Sequence, residues 1–341
     1  MTAPAAGAGD AGRAPWGVRL AAAMDAAGPL CLGIDPHPQL LHDWDLPDTP
    51  VGLERFSMTA LEAAVGEGGS AAVAAIKPQV ALYERHGSAG FAVLERLLRE
   101  ARDEEVLTIA DAKRGDIGST MAGYAEAWLS DESPLAADAV TLSPYLGYGS
   151  LAPALELAEA TGRGVFVLAL TSNPEGASVQ HVGGEEGSVA RSITASAARD
   201  NARVLATGQA DGANSMTGMA GMAGTASTAG TDGTGGTRER SSAGTDGGTA
   251  VRPALGPVGL VVGATVAGQA ERLGLDLADV RGALLAPGFG AQGASGAGMR
   301  AGFGPAWPAV LATSSRAILR RGPSVSGLRE GIREALADLG G

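Results

Sequence analysis

Residues 106–120, VLTIADAKRGDIGST, decide how the rest of the chain is read. The stretch opens with Val-Leu-Thr-Ile-Ala, a short apolar and β-branched run that predicts a buried strand. It then breaks into Asp111, Lys113, Arg114 and Asp116, four charges within six residues. Residues two apart in a strand share a face, so Asp111 and Lys113 are expected to project into one space at the strand's C-terminal end. Asp116 lies just past that end, free to turn back or to reach into a neighbouring subunit. A lysine flanked by carboxylates stays charged. That suits a proton donor or an electrostatic clamp better than a nucleophilic amine. An ordinary rim of surface ion pairs would show the same D-x-K-x-x-D, so the surrounding chain has to decide.

Outward from this strand the pattern alternates. Upstream, 16–27 has helical spacing and Gly28-Pro29 ends it; 30–34 reads as a strand, 53–65 as a helix, 71–76 as a strand closed by Lys77, and 87–103 as a helix. Downstream, helices are expected at 121–129, 151–160, 188–205, 266–273 and 326–339. Strands are expected at 139–142, 165–170, 259–262, 283–286 and 310–312. Strands alternating with helices in this way predict an α/β fold, a (β/α)8 TIM barrel. A doubly wound sheet is the alternative, but no G-x-G-x-x-G follows the first strand.

Two segments stand outside the pattern. Residues 1–14 read as a flexible tail. Residues 207–250 are Gly, Ala, Thr, Ser and Met with scattered charge, including the near-repeat GMAGMAGTASTAGTDGTGG. Such a segment buries too little apolar surface to offset its ordering entropy, so a disordered insertion is expected between the fifth helix and the sixth strand. The barrel then divides into 15–206 and 251–341. Closure entropy grows slowly with loop length, so a barrel tolerates the interruption.

Composition narrows the function. The net charge of −12 argues against a nucleic-acid partner bound through a basic surface, and an anionic ligand would need a local cationic pocket. The single cysteine, Cys31, cannot form an internal disulfide and reads as a small buried residue. No signal-peptide core and no long apolar run is found, which predicts a cytoplasmic protein with no membrane partner. His37, His42, His86 and His181 are scattered without metal-ligand spacing, so no metal is expected. Trp44, Trp128 and Trp307 are expected to fill space between helices and barrel.

In such a barrel the chemistry lies at the C-terminal ends of the strands. Those ends carry Asp35, Lys77, Asp111 with Lys113, Ser172, 287–292 and Arg316. One such residue would be a rim charge; the set is hard to explain by packing, because buried strand ends favour apolar side chains.

The same residues resemble the orotidine 5′-phosphate decarboxylase family, in its actinobacterial-type branch. ADAKRGDIGST is similar to that family's catalytic D-x-K-x-x-D, and Lys77 in AAIKPQ to the lysine completing its Lys-Asp-Lys-Asp array. The resemblance implies catalytic roles for Lys113, Asp111, Asp116 and Lys77. It implies that Asp35 in LGIDPHP holds the ribose hydroxyls and that Ser172 in LTSNPEG hydrogen-bonds the pyrimidine. Gln292 and Pro287 in LLAPGFGAQG, with Ser315 and Arg316 in ATSSRAIL, fall at the phosphate end. Asp116, Ile117 and Thr120 match residues that cross a homodimer interface into the partner's site. The pair Ser314-Ser315 departs from the family, where many members have glycine. The implied reaction is cofactor-free decarboxylation of orotidine 5′-phosphate to uridine 5′-phosphate, with the Lys113 ammonium stabilising and protonating the C6 carbanion.

Two alternatives share this barrel. A Mg²⁺-dependent phosphosugar aldolase or 3-keto-gulonate-phosphate decarboxylase resembles it at D-x-K-x-x-D but uses its acidic residues with the metal. A catalytically silent phosphate-ligand-binding barrel would have little reason to keep crowded like charges. Lys77 and Ser172 favour the metal-free reading.

Overall fold

The computed structural model describes residues 12–66, 68–220, 252–291 and 293–340, the side chains of 208–220 excepted. Eight parallel strands form the sheet: β1 Leu30–Ile34, β2 Ala75–Pro78, β3 Ile109–Arg114, β4 Ala139–Leu142, β5 Gly164–Leu170, β6 Val258–Val262, β7 Leu284–Pro287 and β8 Val310–Ser314. Their order is β2-β1-β8-β7-β6-β5-β4-β3. Parallel bridges Ile76–Thr108 and Gln79–Asp111 join the two ends, and the Ile76 N–H donates to Leu107 O at 2.8 Å. The chain is a (β/α)8 barrel, as the alternation predicts.

Most elements fall within a few residues of their expected places, and the departures have local causes. The second strand starts at Ala75 because Val65 pairs with Ala71 in an antiparallel bridge, across a turn with Gly68 and Gly69 at φ 94° and 82°. That turn consumes the start of the expected strand. The helix expected at 266–273 is two 3-10 turns, Ala267–Gln269 and Glu271–Leu273, ended by left-handed Gly274. The backbone bonds here span three residues, as from the Gln269 N–H to Val266 O and from the Ala270 N–H to Ala267 O. Arg13 pairs with Asp131 at 2.8 Å and donates to Thr161 O at 2.9 Å. The helix Val189–Ala220 runs past residue 207. Residues 1–11 and 221–251, on which most of the tail and insertion expectations fall, lie outside the described residues.

Alternation along the strands divides the core in two. Leu30, Leu32 and Ile34 of β1 face outward, into a layer with Leu53 and Phe56 of the helix Pro50–Ala64 and with Leu328 and Ile332 of the helix Val325–Gly340. Trp44 and Trp128 are buried in this layer and Trp307 packs against it. The inward residues Cys31, Ala75, Ile109, Ala139, Phe166 and Leu311 form a separate apolar plug inside the barrel's N-terminal half.

The helix Trp16–Ala27 closes that end. Trp16 meets Phe166 edge-on at 6.1 Å between ring centres, and a Cβ at Gly164 would sit 2.2 Å from the indole. Gly17 likewise lies against the Leu255 carbonyl, where a Cβ would come within 1.8 Å. Glycine at both positions lets helix and barrel touch backbone-close.

Candidate active site

Two residues further along four of the strands, the inward positions change character. Ala75 is followed by Lys77, Ile109 by Asp111, Ala139 by Thr141 and Leu311 by Thr313, all four buried. The strand period that builds the plug therefore stacks a polar layer directly above it. Next along β3 comes Lys113, about half exposed at the cavity floor.

Asp111 is the hub of this layer. Its Oδ2 accepts from Lys77 Nζ at 2.8 Å and Gln79 Nε2 at 3.1 Å, and its Oδ1 from Lys113 Nζ at 2.6 Å and Thr141 Oγ1 at 2.9 Å. Burial raises the Asp111 pKa, but Lys77 and then Lys113 outweigh it and hold the carboxyl well below the usual range. Lys77 is the mirror case. Burial disfavours its charge, yet Asp111 and then Asp35, 3.9 Å away, hold its ammonium above the ordinary lysine range. Four donors on one carboxylate is the condition under which buried charge is tolerated.

The backbone at Lys113 is unusual. Its φ is 48°, a left-handed conformation uncommon for a side chain with a Cβ, and the β3–β4 register shifts between Ala110 and Arg114. The bulge lets Asp111 and Lys113 converge.

Asp35 follows β1, where its Oδ2 accepts a short hydrogen bond from Ser315 Oγ. Gly33 makes room for this pair, since a Cβ there would stand 2.7 Å from Ser315 Oγ. Asp35 Oδ1 is buried with no hydrogen-bond partner among the described residues. After β7 the chain turns sharply, with Gly288 at φ 112° and Gly290 at 76°, and the Gly290 N–H donates to Ala294 O at 2.9 Å. Phe289 is buried beneath the turn. This segment is thus a pinned loop and no slack linker.

A cavity of about 450 Å³ joins these groups. Of the residues expected at the site, Asp35, Lys77, Asp111, Lys113, Ser172, Pro287, Ser315 and Arg316 line it. Gln292 lies outside the described residues. Asp116, Ile117 and Thr120 do not line the cavity of their own chain. Asp116 is half-buried and accepts the Ile117 N–H at 2.8 Å, and Ile117 is 61% exposed. The cavity also takes in Gln79, Asn173, Gln180 and Thr313, which the sequence reading passed over, as it did the buried Thr141. For Gln79, Thr141 and Thr313 a signal existed: each is two residues beyond an inward position. Gln180 had none, because it reaches the site from a four-residue helix, where it bonds Thr171.

The arrangement offers two ammonium groups and two carboxylates beneath a cleft, with a guanidinium and a glycine turn at the far side. Among the described residues no cluster of His, Cys, Asp and Glu is arranged to hold a metal. Both Asp111 oxygens are already occupied by cationic or neutral donors, which disfavours a role as a metal ligand.

A family model described as orotidine 5′-phosphate decarboxylase / HUMPS family matches residues 28–251. A curated orotidine 5′-phosphate decarboxylase of Salinispora tropica is 47% identical over 95% of this chain and 96% of its own length. That of Streptomyces coelicolor is 45% identical over 92% of this chain and 93% of its own. A crystal structure from Streptomyces avermitilis superposes with a TM-score of 0.75 at 45% identity, covering 96% of this chain and 95% of that one. The chain belongs to the orotidine 5′-phosphate decarboxylase / HUMPS family.

Proposed function

We propose that this chain decarboxylates orotidine 5′-phosphate to uridine 5′-phosphate and CO2 without a cofactor. The observation that carries the proposal is the Asp111 carboxylate gripped between Lys77 and Lys113 at the floor of the cavity. Family membership and the names of the relatives support it.

The substrate's phosphate lies toward Arg316 and the turn at Gly288–Ala291, where a planar donor fork and backbone amides suit its oxygens. The ribose hydroxyls lie at Asp35, whose Oδ1 faces Lys77 at 3.9 Å and has room to accept a hydrogen bond. Ser172 bonds the pyrimidine, and Pro287 and Ser315 complete the wall. This pose directs C6 and its carboxylate toward Asp111 and Lys113.

The C6–carboxylate bond breaks with both electrons left on C6, and CO2 departs. Lys113 Nζ stabilises the developing charge and delivers its proton to C6, then recovers a proton from solvent. Asp111 orients the lysine ammoniums, and Lys77 keeps Asp111 ionised. Phosphate contacts distant from C6 supply binding energy that can be realised in the transition state.

The protein acts as a homodimer in the cytoplasm, with Asp116, Ile117 and Thr120 of each subunit completing the partner's site. Ile117 is exposed, and so are Tyr145 and Leu146 on the loop after β4, at 79% and 53%. The two loops run together where Ser143 N–H donates to Arg114 O at 2.7 Å. Among the described residues no helix is long and apolar enough to cross a membrane. Mixing inactive Lys113→Ala and Asp116→Ala proteins should regenerate activity through hybrid dimers; a mixture that stays inactive removes the shared site.

The primary test follows pyrimidine absorbance as the protein meets orotidine 5′-phosphate in EDTA, beside Lys113→Ala. Turnover that survives chelation and vanishes in the variant is expected. Activity confined to a sugar phosphate with Mg²⁺ would overturn the reading, and so would nucleotide binding without turnover.

A further inference from the structure

We propose that Thr141 is a positioning residue for this reaction, one hydroxyl that fixes Lys113 to Asp111. The inference rests on the decarboxylase reading. Thr141 is buried on β4 and does not line the cavity, so it acts only through its neighbours.

Its Oγ1 accepts from the Lys113 N–H at 2.9 Å and donates to Asp111 Oδ1 at 2.9 Å. The polarity is forced, because an amide can only donate and an ionised carboxylate only accept. Lys113 Nζ donates to the same Oδ1 at 2.6 Å. Backbone and side chain of one lysine are thereby tied into a closed loop through Thr141 and Asp111.

The loop sits where restraint is needed. Lys113 holds a φ of 48° at a register shift between β3 and β4. A left-handed backbone at a residue with a long side chain persists only where surrounding contacts over-determine it. Here the contact is the Thr141 oxygen, which takes the Lys113 N–H that the shifted ladder leaves to a side chain. Releasing it lets the turn relax and moves Nζ away from C6. Misplacement of a reacting group by about 1 Å can cost about 100-fold in rate.

Thr141→Val keeps the shape and removes both hydrogen bonds, whereas Thr141→Ser keeps the hydroxyl. The measurements are kcat and KM for orotidine 5′-phosphate, the Kd of uridine 5′-phosphate, and loss of deuterium to water from its 6-deuterated form. That exchange uses the lysine's proton transfer without any carboxylate. For valine, kcat and the exchange rate should fall together by about 100-fold with KM and Kd little changed, and serine should restore both rates.

Full kcat in the valine variant, a fall in kcat with normal exchange, or a serine variant no better than valine would each overturn the proposal. If the valine protein does not fold, Thr141→Cys, with its weak donor and acceptor, serves the same comparison. A wild-type protein inactive on orotidine 5′-phosphate would instead remove the decarboxylase reading itself.

Discussion

Two consecutive layers inside the barrel are built from the same strands and differ in almost everything else. The lower one, with Cys31, Ala75, Ile109, Ala139, Phe166 and Leu311, is dry and apolar. The upper one, with Lys77, Asp111, Thr141 and Thr313, is nearly as buried and is charged. Below, each side chain contributes by leaving water, and neighbours are interchangeable if their volume is kept. Above, each group is tolerable only because another compensates it, so single replacements propagate. Two residues along a strand separate a stabilising position from a reactive one.

The sharpest break between the layers is Lys113→Ala, expected to lower kcat by about 10⁴-fold while thermal stability changes little. A variant keeping a tenth of wild-type turnover would dissolve the distinction. Next come two losses of about 3–5 kcal/mol with different signatures. Trp16→Ala should lower the unfolding midpoint and leave turnover per folded molecule intact, since it touches only the plug. Asp111→Ala should lower both, because it leaves the buried Lys77 with only the more distant Asp35 and strips half-buried Lys113 of its carboxylate. Denaturant unfolding beside an activity titration separates the two.

Stability against pH sharpens the contrast further. The Asp111 carboxyl is held below its value in the unfolded chain, so its contribution is present above about pH 4 and is lost as pH falls below that. Lys77 is held above its unfolded value, so its contribution is present below about pH 10 and fades as pH rises beyond it. Asp111→Asn should flatten the acid limb of an unfolding-midpoint profile; an unchanged limb would place the dependence elsewhere. The smallest effect belongs to Cys31. Burial pushes its thiol up to about 12, so it should react with thiol reagents only on unfolding, and Cys31→Ala should cost about 1 kcal/mol.

The barrel was legible because its strands are short apolar runs, several closed by polar or charged residues, and its helices carry apolar residues at helical period. Asp111 and Lys113 were legible for the same reason, two residues apart at the end of such a run. For Thr141 the strand period marks only an inward-facing residue, since a threonine in AVTL looks like any β-branched strand residue until a carboxylate is seen beside it. The bulge at Lys113 was equally hidden, because nothing in DAKRG marks a left-handed lysine. The helix expected before β7 is a pair of 3-10 turns, which apolar spacing alone could not tell from an α-helix. Gln180 failed on distance, since periodicity says nothing about which loop folds over a site.

The helix Trp16–Ala27 precedes every strand of the barrel along the chain, yet its seat is made of Gly164, Phe166 and Leu255, which come far later. During synthesis Trp16 has nothing to dock on until β5 has emerged. Until then the nascent chain carries an exposed indole, which is when chaperones would find it. Docking of that helix is a late event by geometry, and a reporter on Trp16 fluorescence would mark the moment the barrel is finished.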